Sequence, residues 1–255
     1  MVSTRHHPKE FPPPAIPSPN GSKSDSGARQ STPSSTPSRT KRGSSFAHIP
    51  SKIVVLWLLV SIPLVVWDTG YIMLRPHSMP GGWLHSPLWT PYALYGTIDY
   101  VYGWPAFNAR NGFTAAQGFM NIIETLCLVF YLVVVFRHGE TVNETGKKKA
   151  EEKGILGSLI QDRAVEGRLG AVALLVLFSA MTMTLSKTLL YWSNEFFSGF
   201  GNIGHNDLSK LIPLWIIPNG LWIIFPAYSL AILGPEIINA LESSTAGRGK
   251  GSKSK

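Results

Sequence analysis

Four stretches of this chain constrain its fold more than anything else: residues 53–74 (IVVLWLLVSIPLVVWDTGYIML), 113–136, 170–192 and 211–233 (LIPLWIIPNGLWIIFPAYSLAIL). A bilayer core about 30 Å thick needs about 20 apolar residues in helical form, and each stretch is that long. Each is also too long and too continuous to be a strand. The sequence therefore predicts an all-α fold, an integral membrane four-helix bundle.

The rest of the chain is of a different kind. Mean hydropathy over all 255 residues is only +0.09, because the first 50 are polar and rich in Pro and Ser, with Pro12-Pro13-Pro14 and the run from Ser31 to Ser38. Such a segment buries too little surface to offset its ordering entropy, so residues 1–50 are expected to be a disordered tail. It lacks the early apolar core of a cleaved signal peptide. Residues 51–240 then form one membrane domain, and 241–255 a basic disordered tail. The formal charge of +8 sits mostly in the tails, beside membrane spans. Anionic membrane lipid is the expected partner, and nucleic acid is not. Cys127 is the one cysteine and excludes an intrachain disulfide. Neither a metal nor a cofactor is expected.

Lys and Arg in the flanks set the orientation. Arg39, Lys41, Arg42 and Lys52 precede the first span, seven bases from Arg137 to Arg168 separate the second from the third, and Arg248, Lys250, Lys253 and Lys255 follow the fourth. The other side carries only Arg75, Arg110 and Lys210. Both termini are thus expected in the cytosol and the loops 75–112 and 193–210 in the lumen. Asn143, in Asn-Glu-Thr, fits a glycosylation pattern but falls on the cytosolic side of this topology. The first luminal loop holds Trp83, Trp89, Tyr92, Tyr95, Tyr100, Tyr102, Trp104 and Phe107. Trp and Tyr favour the headgroup level, so this loop is expected to lie along the membrane and roof the bundle.

Ionisable groups inside a bilayer are costly and face the bundle interior or a wet cavity. The spans contain Asp68, Glu124 and Lys187. Gln117, Asn121 and Glu124 stand at i, i+4 and i+7 and share one helix face. Asn219 and Trp222 stand at i and i+3 between Pro218 and Pro226, and Thr188 and Tyr191 neighbour Lys187. At 1.5 Å per residue, Asp68, Lys187 and Asn219 lie roughly 8–12 Å from the luminal ends of their spans and Glu124 roughly 16 Å. Similar depth on four helices predicts one shared pocket. Such a site suits a large lipophilic ligand with one polar or cationic feature. A buried carboxyl can also exchange a proton near neutral pH, and an indole face can meet a cation. The bland alternative is that Lys187 snorkels or pairs structurally and that Gln117 and Asn219 only glue helices together.

Several segments resemble one family. PNGLWIIFPAYSLAIL resembles its Asn-x-x-Trp helix, GFTAAQGFMNIIETLCLVFYLVVVF its second helix with an interior Glu, PLWTPYALYGTIDY its luminal connector, and SIPLVVWDTGYIMLRP its first span, where Ile-Pro precedes an interior Asp. The set is similar to the EXPERA family, four-helix membrane proteins around a sterol-like pocket, and covers roughly residues 53–240. The resemblance implies that Glu124 and Asp68 are proton-exchanging carboxylates. It implies that Asn219 and Trp222 line the site and stabilise a cation, and that Asp99 is an acid of the luminal segment. It also implies residence in the endoplasmic reticulum and a homodimer. The sterol isomerases of the family carry a His one turn before the first-span acid, where this chain has Leu64 next to Pro63, and they lack a base at the position of Lys187.

Three function classes follow. The first is a multi-pass membrane protein that binds a sterol or other lipophilic small molecule in an intramembrane pocket, with Asn219, Trp222, Asn121, Gln117, Lys187, Thr188, Asp99 and Tyr191 as its binding residues. The second is an active sterol Δ8-Δ7 isomerase-like enzyme using Glu124 and Asp68. The third is a non-catalytic structural or trafficking protein.

Overall fold

The computed structural model describes residues 46–142 and 161–251. Of the tail expected over 1–50, residues 1–45 lie outside them, as do residues 252–255 and Asn143, while Ala47–His48 form a short strand. Among the described residues, four helices are long and apolar enough to cross a membrane: α1 (Lys52–Met73), α4 (Phe113–His138), α5 (Gly167–Phe197) and the run Leu208–Ser244. That last run is built from a short α6 (Leu208–Leu211), a π-helical turn (Ile212–Ile216) and α7 (Ile217–Gly251). The helix thus passes residue 240, where the sequence reading ends the domain, and α5 also outruns its expected span. Between α1 and α4 lie the short helices α2 (Pro91–Ile98) and α3 (Trp104–Asn108).

The long helices are apolar on both sides, as helices with lipid behind them must be. Leu56, Val60, Leu126, Leu175, Leu190 and Ile224 are all exposed on the bundle's exterior. The inner face packs α1 on α4, α4 on α5 and α5 on α7, while α1 and α7 meet more sparingly. One half of the interior is dry: Leu58, Leu128, Tyr131, Leu177, Met181 and Leu233 form a continuous buried cluster. There Trp57 of α1 stacks on Phe225 of α7 at 4.2 Å and meets Trp222 edge-on at 5.0 Å.

A small antiparallel sheet closes that end. β1 (Ala47–His48) and β2 (Glu140–Thr141) flank β3 (Arg163–Glu166), with His48 opposite Val165 and Glu140 opposite Ala164. β1 leads into α1, β2 follows α4 and β3 leads into α5, so three helix ends are hydrogen-bonded together. His48 is buried between Glu236 of α7 (2.8 Å from Nδ1) and the Tyr131 hydroxyl (2.9 Å from Nε2). A carboxylate only accepts, so Nδ1–H donates to it and Nε2 accepts from Tyr131.

The opposite end is closed by the aromatic segment between α1 and α4. Tyr71 stacks on Tyr92 at 3.7 Å, and the Trp89 indole N–H donates to the Trp67 carbonyl at 3.1 Å. The chain crosses itself where Gly96 meets Gly103. A Cβ on Gly103 would stand 2.3 Å from the Gly96 carbonyl oxygen, so only glycine fits. This segment covers the helix ends as a roof.

Candidate functional site

Beneath the roof, the four long helices leave a cavity of about 490 Å³. α1 contributes Leu64, Trp67 and Asp68; α4 contributes Phe113, Gln117 and Asn121; α5 contributes Lys187, Thr188 and Tyr191. From the last helix come Leu214, Pro218, Asn219 and Trp222, and the roof adds Tyr92, Tyr95 and Tyr102. The wall is mainly apolar and aromatic, with its polar groups gathered in a strip.

That strip is a connected relay. The Tyr92 hydroxyl donates to Asp68 Oδ1 at 2.5 Å, and Asn121 Nδ2 approaches Asp68 Oδ2 at 3.5 Å. The other face of the same amide, Asn121 Oδ1, accepts from the Lys187 ammonium. Lys187 Nζ also lies 2.9 Å from Glu124 Oε1 and 3.0 Å from Oε2. The Thr184 hydroxyl donates to Glu124 Oε2 at 2.9 Å. Asn121 thus sits between the two opposite charges, and its flip state follows from them: the amide nitrogen faces the acid and the oxygen the base. Helical spacing explains the arrangement, since Gln117, Asn121 and Glu124 project from one face of α4 toward α1 and α5.

Two residues singled out from the sequence do not line the cavity. Glu124 stands behind Lys187, its side chain 5% exposed against 13% for the lysine, so the lysine separates it from the open space. Asp99 caps α2 and is fully buried between roof and bundle. It accepts from the Val101 N–H at 2.9 Å, the Trp215 indole N–H at 3.0 Å and the Tyr191 hydroxyl. Burial pushes its carboxyl up to about 7 and nearby Glu195 adds to this, while the Val101 and Trp215 donors pull the other way. Asp99 is a pin joining the roof to α5 and the π-helical turn. That turn places Trp215 inward, and Asn219 Nδ2 donates to the Trp215 carbonyl at 2.8 Å. Wide turns of this kind recur at functional sites.

The other residues named from the sequence come together. Asp68, Gln117, Asn121, Lys187, Thr188, Tyr191, Asn219 and Trp222 all reach the cavity wall. Gln117 Nε2 makes a long contact to the Lys187 carbonyl at 3.4 Å, and Thr188 donates to the Thr184 carbonyl at 2.8 Å. Among the residues that sequence reasoning did not assign to the site, the roof tyrosines are the polar ones over the cavity. Burial raises the hydroxyls of Tyr92, Tyr95 and Tyr102 above the ordinary tyrosine range, so they are neutral donors over the cavity. Their signal was the aromatic density of the loop, which marks a surface that packs on something apolar while keeping one polar end.

No protein-family model, curated protein or solved structure matches the chain. Among the described residues, no group of three or more His, Cys, Asp or Glu side chains is placed to hold a metal ion.

Proposed function

We propose that the chain is a receptor-like membrane protein of EXPERA type that holds a sterol or similar lipophilic molecule in this cavity. The observation that carries the reading is the cavity itself: about 490 Å³, apolar on most sides, with the polar strip on one wall. That size and character suit a small-molecule site, in which a few placed polar groups fix orientation. The ligand's apolar body lies against Trp222, Leu64 and Leu214, and its one polar feature meets Asp68, Asn121 and Lys187. With Glu124 neutralising Lys187, Asp68 is the acid left facing the ligand, and a hydroxyl or an amine both satisfy it.

The positions of the carboxylates favour binding over turnover. An isomerase-type double-bond shift needs groups that give and take a proton at the substrate, within hydrogen-bond reach of it. Asp68 lines the cavity, but Glu124 is screened by Lys187. Neither Leu64 nor Pro63 supplies the missing histidine. The base count of the flanks supports a luminal roof with cytosolic termini, and the resemblance supports residence in the endoplasmic reticulum.

The test is lipid extraction from the full chain purified in mild detergent, read by mass spectrometry. The expected result is a sterol-sized lipid held in near-stoichiometric amount and lost on Trp222→Ala and Asp68→Ala. Retention of no lipid above an unrelated four-helix membrane protein sinks the proposal. Expression in cells lacking the sterol isomerase separates the two readings: restored Δ7 sterols, abolished by Asp68→Asn, replace binding with catalysis.

A further inference from the structure

The roof side of the chain is poor in bases, with Arg75, Arg110 and Lys210 alone between the flanking spans. The fold brings the first two together although 35 positions separate them. Arg75 and Arg110 line a notch of about 590 Å³ where α1 ends and α4 begins, together with Asn108, Asn111, Met73 and Ala115. Neither arginine is in an ion pair among the described residues. Arg75 is half-buried, with Nε donating to the Ile72 carbonyl and Nη1 to the Val101 carbonyl, each at 3.3 Å, and its guanidinium 6.0 Å from the Phe107 ring. Backbone carbonyls and one ring hold the side chain in place but do not neutralise it. Arg110 occupies a left-handed conformation, φ 53°, at the end of α3, where glycine or asparagine is the usual residue. The first turn of the 26-residue α4 adds the partial positive charge of a helix N-terminus.

The notch has an apolar continuation. Gly118 lets α4 approach α1 so closely that a Cβ there would lie 2.7 Å from Met73 Cε. From Ala115 an exposed stripe runs down α4 through Phe119, Ile122 and Leu126, at helical spacing. A positive notch at a helix end, with an apolar stripe leading from it along the spanning face, matches a molecule with an anionic head and acyl tails. Paired guanidinium groups are the side chains best suited to phosphate oxygens.

We propose that Arg75 and Arg110 form a binding site for the phosphate of a membrane phospholipid, whose acyl chains lie on the Phe119–Ile122–Leu126 stripe. The site is separate from the cavity and does not depend on what the cavity holds. Free phosphate shares the headgroup chemistry but lacks the tails, and the stripe favours the lipid.

The full chain in mild-detergent micelles is titrated with phosphatidylglycerol and read by native mass spectrometry and thermal stability. Two probes accompany it: diacylglycerol with the same acyl chains, and inorganic phosphate. The expected result is one retained phosphatidylglycerol, with affinity falling about tenfold on Arg110→Gln and again on Arg75→Gln, as loss of a charge-assisted contact dictates. Arg110→Gln alters an exposed loop residue, so it stays interpretable if Arg75→Gln weakens the roof. Unchanged phosphatidylglycerol affinity in both variants overturns the proposal, as does equal binding of diacylglycerol. Full stabilisation by inorganic phosphate alone assigns the site to a soluble anion and overturns the lipid. The cavity ligand is read as a different mass, so failure here and failure there are distinguishable.

Discussion

Lys187→Met should destabilise the protein sharply, and Glu124→Gln added to it should restore most of the loss. The pair stands at 2.9 Å. With an effective dielectric near 20, the attraction is about 6 kcal/mol. Desolvating both ends offsets much of that, so the intact pair stands near break-even against an apolar replacement. The single variant is different. It leaves Glu124, almost fully buried, with the Thr184 hydroxyl as its remaining donor among the described residues. An uncompensated buried charge costs about 3–5 kcal/mol. The double variant keeps an amide that can still accept from Thr184 and has no charge to strand, so it should lie within about 1–2 kcal/mol of the parent. A double-mutant cycle measures this through unfolding of the purified protein in mixed detergent micelles, with helicity as the readout. A coupling energy near zero, with the two single losses simply adding, would refute the reasoning. It would mean that the cavity admits enough water to solvate either charge alone.

Asp99 gives a pH prediction. Its folded value of about 7 is above its ordinary 3.8, so the folded state binds the proton more readily than the unfolded one. Its contribution to stability is therefore full at the acid end and is lost as pH rises through about 7. Thermal unfolding from pH 5 to 8 should show the decline, and Asp99→Asn should flatten it. Gly103→Ala places a Cβ 2.3 Å from the Gly96 carbonyl oxygen and should loosen the roof, seen as faster amide exchange over residues 91–108 with the long helices unaffected. His48→Leu strands the buried Tyr131 hydroxyl and should cost about 1–3 kcal/mol, part of it recovered by adding Tyr131→Phe. An unfolding titration of the three variants checks this, and equal loss in the single and double variants would remove the hydroxyl from the explanation.

The spans and the meeting of their polar residues were legible in the sequence for one reason. Lipid imposes length and apolarity on every residue of a spanning helix, so an exception such as Asp68 or Lys187 stands out. Depth along a helix follows from counting, and it placed Asp68, Glu124, Lys187 and Asn219 in the same half of their spans. What counting cannot supply is order in the plane perpendicular to the helices. Glu124 was the deepest acid and stood on the polar stripe of its helix, yet Lys187 of α5 stands between it and the cavity. Asp99 sat in a connector that resembled a site segment, and the π-helical turn drew Trp215 onto it. Two-residue strands such as Ala47–His48 carry no period at all. The pairing of Ala47–His48 depends on residues more than 100 positions away, and the environment of His48 on Tyr131 and Glu236, which are also distant in sequence.

The strand clasp has a mechanical consequence. It ties α1, α4 and α5 at one end, whereas the last helix contributes no strand and is held there through Glu236. The bundle resembles a barrel with three hooped staves and one unhooped. The unhooped stave borders α1 along the least extensive of the seams between the long helices, and both line the cavity. That seam is the most thinly packed contact between neighbouring long helices beside the cavity. Trp57 spans it, stacked on Phe225 and edge-on to Trp222, so its rings supply much of the contact that holds the unhooped stave to α1.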